Sequence, residues 1–148
     1  MPHSFVKCWV HALWATKNRQ PLIKTAIEDS VYNKMKEELI KSGCFVQIIN
    51  GMPDHVHCLF SANPQLSVSD TIEQLKGSSS HWFNQQDLIT EKFAWQTGYA
   101  AYSVSQSQLE KVFNYIKNQK VHHQQKTWQQ ELDELNELHG LNRNNPNE

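Results

Sequence analysis

Apolar residues along this chain alternate between two rhythms. Residues 4–16 are apolar and rich in aromatic and β-branched types, so they read as a long strand covered on both faces, hence central. The odd face of that strand carries Phe5, Lys7, Trp9, His11 and Leu13. A four-residue rhythm follows, Ile27, Val31, Met35 and Leu39, which marks the buried stripe of a helix. Thr25-Ala26-Ile27-Glu28 has the spacing of a capping box at its start, and Gly43 closes it. Cys44 to Asn50 reads as a second strand, with Asn50-Gly51 as a hairpin turn that Pro53 lengthens. Met52 to Phe60 is the returning antiparallel strand, and 62–66 is a loop. Ser67 opens a second helix whose buried side is Val68, Ile72, Leu75 and Trp82 or Phe83. Within it, Gly77-Ser78-Ser79-Ser80 is either a weak last turn or a surface where backbone and hydroxyls approach phosphates. Residues 93–105 read as a fourth strand, with Gly98 as a bulge. Ser107-Gln108-Leu109-Glu110 has capping-box spacing and opens a helix that buries Leu109, Phe113 and Ile116. Thr127 begins a strongly polar helix that runs to about His139 and ends at Gly140, and 142–148 form a polar tail.

The order is β-α-β-β-α-β followed by helices. This predicts an α+β fold, a ferredoxin-like split βαβ sandwich with one antiparallel sheet and its helices on one face. The other sheet face then needs a cover: a ligand, the later helices or another subunit. At 148 residues the chain is read as a single domain, with a core at about 4–123 and a polar C-terminal helix and tail at 124–148.

Composition narrows the setting. No apolar run is long enough to cross a membrane and no signal peptide is visible, so a cytoplasmic, soluble protein is expected. Cys8, Cys44 and Cys58 lie in apolar contexts without CxxC spacing and read as buried free thiols. The net charge of −1 argues against a strongly basic nucleic-acid binder. Its distribution softens that. Residues 1–121 carry 12 Lys and Arg against 10 Asp and Glu, whereas 122–148 carry 2 against 5. A phosphate-binding surface would therefore be local, around Lys17 and Arg19, or Lys111, Lys117 and Lys120.

His55 and His57 sit two residues apart in a strand, so their side chains share one face, while Val56, Cys58 and Phe60 point into the core. Two imidazoles so placed can clamp one divalent metal ion, although surface or packing histidines have the same spacing. His11 is a packed residue unless its face is the one bearing the pair. Asp54 either orients one of these histidines or caps the turn after Pro53. Tyr115 and Gln119 are four residues apart on a helix, with Ile116 turned to the core. A phenol is a poor nucleophile at its ordinary pKa near 10, but a metal that polarises a phosphodiester lets a positioned tyrosine attack phosphorus. Gln119 would bring an amide oxygen to the same metal. Tyr115 taken alone reads as a helix tyrosine packed on the sheet with its hydroxyl at the rim.

Four blocks together are far more specific than any one of them: Leu13-Trp14-Ala15-Thr16-Lys17-Asn18-Arg19-Gln20-Pro21-Leu22; Gly51-Met52-Pro53-Asp54-His55-Val56-His57; the segment from Trp95 to Ser105; and Tyr115-Ile116-Lys117-Asn118-Gln119-Lys120-Val121-His122-His123. In this order the chain resembles the HUH-class single-tyrosine transposases of the insertion-sequence-two-hundred type and their REP-associated relatives. The resemblance implies a DNA transposase that cuts and rejoins single-stranded DNA at mobile-element ends through a 5′-phosphotyrosine. It implies Tyr115 as nucleophile, and His55, His57 and Gln119 as ligands of Mg²⁺ or Mn²⁺. A homodimer and DNA with hairpin ends are the implied partners. His122 and His123 are read as DNA-phosphate or structural contacts. Two rival readings remain: a metal-dependent nuclease that uses water, and a non-catalytic nucleic-acid-binding module. The second lacks the aromatic-rich pattern of RNA-recognition motifs.

Overall fold

The structure, a computed structural model, describes residues 5–122 and 126–141. Four strands, β1 (Trp9–Ala15), β2 (Phe45–Met52), β3 (His55–Ser61) and β4 (Ala100–Val104), form one antiparallel sheet in the order β2-β3-β1-β4. Helices α1 (Glu28–Lys41) and α2 (Val68–Gln85) occupy the crossovers. Three helices follow the sheet: α3 (Leu109–Lys117), the short α4 (Gln119–His122) and α5 (Trp128–Leu138). This is the α+β arrangement the hydropathy pattern predicts.

The period-two alternation of the central strands divides the molecule into two layers. Val10, Ala12 and Trp14 of β1 and Val56, Cys58 and Phe60 of β3 face α1 and α2, where they meet Val31, Met35, Leu39, Ile72, Leu75 and Phe83. On the other face Trp9, Leu59 and Val104 pack with Val112 and Ile116 of α3. The second face is thus covered by the later helices, and β1 and β3 are buried almost throughout.

Several local expectations are corrected. Asn50-Gly51 is not the turn: β2 runs through it to Met52, which pairs with His55, and Pro53-Asp54 make the turn. Gly51 is needed for a different reason. A Cβ there would lie 2.3 Å from the backbone oxygen of His55 and 2.9 Å from Val56 Cα, so only glycine lets the two strands approach. A bulge between Val46 and Ile48 shifts the phase of β2, so that Val46 and Ile49 both reach the α1/α2 core while Ile48 serves the other face. The helix α1 starts at Glu28 with no side-chain cap from Thr25, and Ser107 caps nothing, because a 3-10 turn at Gln106–Gln108 leads into α3. By contrast, Ser67 caps α2 as its spacing predicts. The Gly77–Ser80 stretch neither ends α2 nor is left open as a whole. The helix continues to Gln85, the three serines bond carbonyls of the preceding turn, and buried Ser79 also accepts from Trp95 Nε1. The fourth strand is shorter than expected, with 93–99 irregular apart from a bridge between Thr16 and Trp95. Cys44 and Cys58 are buried free thiols, but Cys8 is exposed.

Gly51→Ala should therefore destabilise the fold by about 1–3 kcal/mol through backbone overpacking. Chemical denaturation of the metal-free protein measures this, and a variant as stable as wild type would contradict the close approach.

Candidate metal centre

The second sheet face carries the histidines because of the β1–β3 register. Leu13 lies opposite His57, Ala15 opposite His55 and His11 opposite Leu59, which puts His11, His55 and His57 on one side. All three are buried. The condition under which His11 would be more than packing is met.

The buried side of α5 closes over them. Glu131, Leu135 and Leu138 recur at i, i+4 and i+7 and face the sheet, so the first position of an otherwise apolar stripe is an acid. Glu131 is 1% exposed, and its Oε1 lies 2.9 Å from His57 Nε2 and 3.2 Å from His55 Nε2. One donor atom from each of His55, His57 and Glu131 falls within 4.8 Å of the others, a spacing a single metal ion can bridge. The other ring nitrogens are occupied behind this cluster. His55 Nδ1 meets Asp54 Oδ1 at 2.7 Å, and His57 Nδ1 meets His11 Nε2 at 2.9 Å. Both Nε2 atoms are therefore turned inward, as metal-binding imidazoles are when backed by a second partner.

Asp54 both shapes the turn and orients His55. Its backbone oxygen accepts from Thr16 N, while its carboxylate holds His55 and pairs with Arg19 at 3.0 Å. Arg19 has a left-handed backbone, and its guanidinium lies 4.5 Å from the centre of the Trp128 ring. This side chain thus ties the loop after β1 to the start of α5.

Tyr115 reaches the same place from α3. Its ring centre is 5.8 Å from that of His57, and its hydroxyl is buried without a hydrogen-bond partner. Gln119 is fully buried, its Nε2 donates to Tyr115 O at 3.4 Å, and its Oε1 has no partner. Tyr115 and Gln119 are not on one rod, because the helix breaks at Asn118 between α3 and α4. The break is fastened from the sheet. Asn50, opposite His57 on β2, donates to Ile116 O at 3.0 Å and Lys117 O at 3.2 Å. Lys120 is consumed here as well, bonding Asn50 Oδ1, Gly51 O and Glu28.

The remaining basic residues are scattered. Lys111 lines a cleft of about 250 Å³ beside Tyr115 that also includes Lys126, Glu134, Glu137 and Leu138. A second cleft, of about 350 Å³, is bounded by Arg19, Asp54, His55, Lys126 and Glu131. Lys17 and Lys117 are exposed. His123 and the side chain of His122 lie outside the described residues.

Charge inside the cluster is unevenly spread. Burial alone would pull His55 down, but the bonds to Asp54 and Glu131 overcome it and raise its pKa to about 9. Burial raises Asp54 too, yet His55 and Arg19 outweigh that and its carboxyl falls below the ordinary range. Burial, then His57 and His139, push His11 well down, and burial with His57 takes His139 to about 4. Tyr115 is raised by burial and by the Glu131 charge, against a smaller opposing effect of the Gln119 amide. The phenol is therefore neutral, and more firmly so than a free tyrosine. A buried carboxylate against two inward Nε2 atoms, with an unpartnered amide oxygen on Gln119, is a donor set that fits a hard or borderline divalent cation.

Sequence reasoning missed Glu131 and His139. The available signal was the acid at the head of the Leu135–Leu138 stripe.

Residues 4–119 match the family model described as transposase IS200 like. A curated relative, the ISDra2 transposase TnpA of Deinococcus radiodurans, is 29% identical over 114 residues, which is 74% of this chain and 81% of that protein. Among solved structures, a Deinococcus radiodurans R1 protein assigned as a transposase superposes with a TM-score of 0.63 at 26% identity, over 79% of this chain and 95% of its own. A REP-associated tyrosine transposase bound to a REP hairpin shares the fold, with a TM-score of 0.63 at 14% identity over 82% and 72% of the two chains. The family match stops short of α5, so Glu131 and His139 lie beyond it.

The His55 proton sets a pH dependence. A metal must displace it from Nε2, so affinity for Mn²⁺ should rise roughly tenfold per pH unit below 9 as that proton is released. Calorimetry at pH 6.5 and 8 in buffers of different ionisation enthalpy reads both quantities. In the metal-free protein the sign reverses. Because the folded pKa lies above the unfolded value near 6.5, the stability from His55 is complete below pH 6.5 and is lost as pH rises through 9.

Proposed function

The chain belongs to the IS200-like transposase family, and from that membership we propose that it cuts and rejoins single-stranded DNA through a covalent bond to Tyr115. The observation that carries this is the Tyr115 ring 5.8 Å from His57, beside a buried cluster of two histidines and a carboxylate. A divalent cation, Mg²⁺ or Mn²⁺, would be held by His55 and His57, with Glu131 and the Gln119 amide oxygen as the further donors. When bound, it supplies Lewis-acid polarisation of the scissile phosphate and lowers the cost of a phenolate nearby.

The residues of the chain do the rest. Tyr115 Oη attacks phosphorus and gives up its phenolic proton, the bond from phosphorus to the 3′ oxygen breaks, and the 3′ oxygen takes up one proton in exchange and leaves as a hydroxyl. The 5′ phosphate stays on the tyrosine as a phosphodiester. One ester replaces another, so the reverse attack by a 3′ hydroxyl rejoins the strand without an outside energy source. Burial and Glu131 hold the phenol neutral, so its proton must leave Oη as the bond to phosphorus forms. Asp54 and His11 hold the two imidazoles in the orientation this needs.

The partner is read as DNA with hairpin ends, since a fold neighbour is bound to a REP hairpin. Lys17, Arg19, Lys111 and Lys117 are its candidate phosphate contacts, and Lys120 is a candidate only once released from Asn50. The active assembly is read as a homodimer acting in the cytoplasm; none of the described helices is long and apolar enough to cross a membrane.

Tyr115→Phe should abolish both cleavage and the covalent protein–DNA adduct on a labelled hairpin-flanked single strand with Mn²⁺, while gel-shift binding of the hairpin survives. Cleavage without an adduct would instead identify a nuclease that uses water. His55→Ala should lose cleavage together with Mn²⁺ uptake, and retained uptake would refute the assigned ligand.

A further inference from the structure

A fully buried imidazole on a central strand is costly unless both ring nitrogens are bonded. His11 meets that condition in an unusual way, because both of its partners are imidazoles. Its Nε2 lies 2.9 Å from His57 Nδ1, and its Nδ1 lies 2.8 Å from His139 Nε2. His139 follows the last turn of α5 and is stacked face to face on Tyr102 of β4, with ring centres 4.2 Å apart and planes 3° apart. Three rings thus run in line from the metal cluster to the end of the C-terminal helix.

A neutral imidazole offers one N–H and one lone pair. In a chain of such rings the direction of every hydrogen bond is fixed once one ring is fixed. A metal on His57 Nε2 requires the lone pair there, which leaves the proton on Nδ1. His11 Nε2 must then accept, so His11 Nδ1 carries the proton that it donates to His139 Nε2. The contrast with His55 is informative. That ring is backed by the carboxylate of Asp54, which is partly open to solvent and paired with Arg19. The ring of His57 is sealed, with Glu131 already against its other nitrogen. A second carboxylate there would bury two anions side by side, whereas a neutral imidazole accepts the same hydrogen bond without charge.

We propose that His11 is a positioning residue for this site: it accepts the Nδ1 proton of His57 and so presents Nε2 to the metal, and His139 holds His11 in the matching tautomer. The inference rests on the reading of His55 and His57 as metal ligands. A residue that merely filled space could be replaced by a ring without nitrogens; one that accepts a proton could not.

The test uses the full chain with Mn²⁺ for calorimetry and saturating Mg²⁺ for ¹⁵N-edited spectra of the histidine rings. In wild type with Mg²⁺, His57 should show its proton on Nδ1. His11→Phe should weaken Mn²⁺ binding by roughly 10–100-fold, the usual cost of removing an outer partner of a metal-bound imidazole. His11→Gln, whose side-chain oxygen reaches the place of Nε2, should recover most of that loss. His139→Phe should weaken binding less than His11→Phe. Unchanged affinity in a folded His11→Phe, a His11→Gln as weak as His11→Phe, or a metal-loaded His57 without an Nδ1 proton would each overturn the inference. If His11→Phe does not fold, the wild-type spectrum decides alone. Failure of wild type to take up either metal strikes the metal reading and this inference together, whereas wild-type uptake with an indifferent His11→Phe strikes only the inference.

Discussion

The register between β1 and β3 is the constraint from which the rest follows. With side chains alternating, the pairing of Leu13 with His57 sends Val56, Cys58 and Phe60 to the α1/α2 core and three histidines to the other side. A slip by one residue would drive imidazoles into the aromatic core and expose its apolar set, so the fold and the site are specified by the same hydrogen-bond ladder. The register also fixes the tyrosine. Asn50 stands opposite His57 on β2 and grips the carbonyls at the end of α3, which sets where Tyr115 can lie. Gly51, next along, lets β2 come close enough for that grip.

The elements with a clean period were legible from residues alone: the α1 stripe, the Ser67 cap of α2, the two-faced burial of β1, and the shared face of His55 and His57. What stayed hidden was decided by tertiary contact. Asn50-Gly51 has the composition of a turn, yet it lies inside a strand because Asn50 is used by a helix distant in sequence and Gly51 by a neighbouring backbone. Thr25 and Ser107 have capping spacing, but 3-10 and turn geometry intervene before the helices begin. Lys120 has the sequence context of a surface cation, but its ammonium is held by three oxygens, of Asn50, Gly51 and Glu28. The site was half legible. His55, His57 and Tyr115 come together as their spacing and family resemblance suggest, while Glu131 looked like one acid among several on a solvated helix.

Electrostatically the site is a balance of opposed terms. Burial would discharge these groups, and each charged form survives because of two close partners: Asp54 through His55 and Arg19, His55 through Asp54 and Glu131. Where no such partner exists, as at His11 and Tyr115, burial prevails and the group stays neutral. The mild overall charge of the chain thus conceals a cluster whose charges are few, enclosed and locally paired.

The position of α5 has a thermodynamic consequence of its own. His55, His57, Gln119 and the Tyr115 hydroxyl are all out of reach of solvent, and the acid among them belongs to that helix. A carboxylate is therefore already seated beside the tyrosine and the two imidazoles. Seating that acid in a dry site costs desolvation, which its two imidazole partners offset, so the packing of α5 and the charge state of the cluster are coupled. The Arg19 guanidinium over Trp128 fastens the start of this helix, so the enclosure of the cluster depends on a contact that lies outside it.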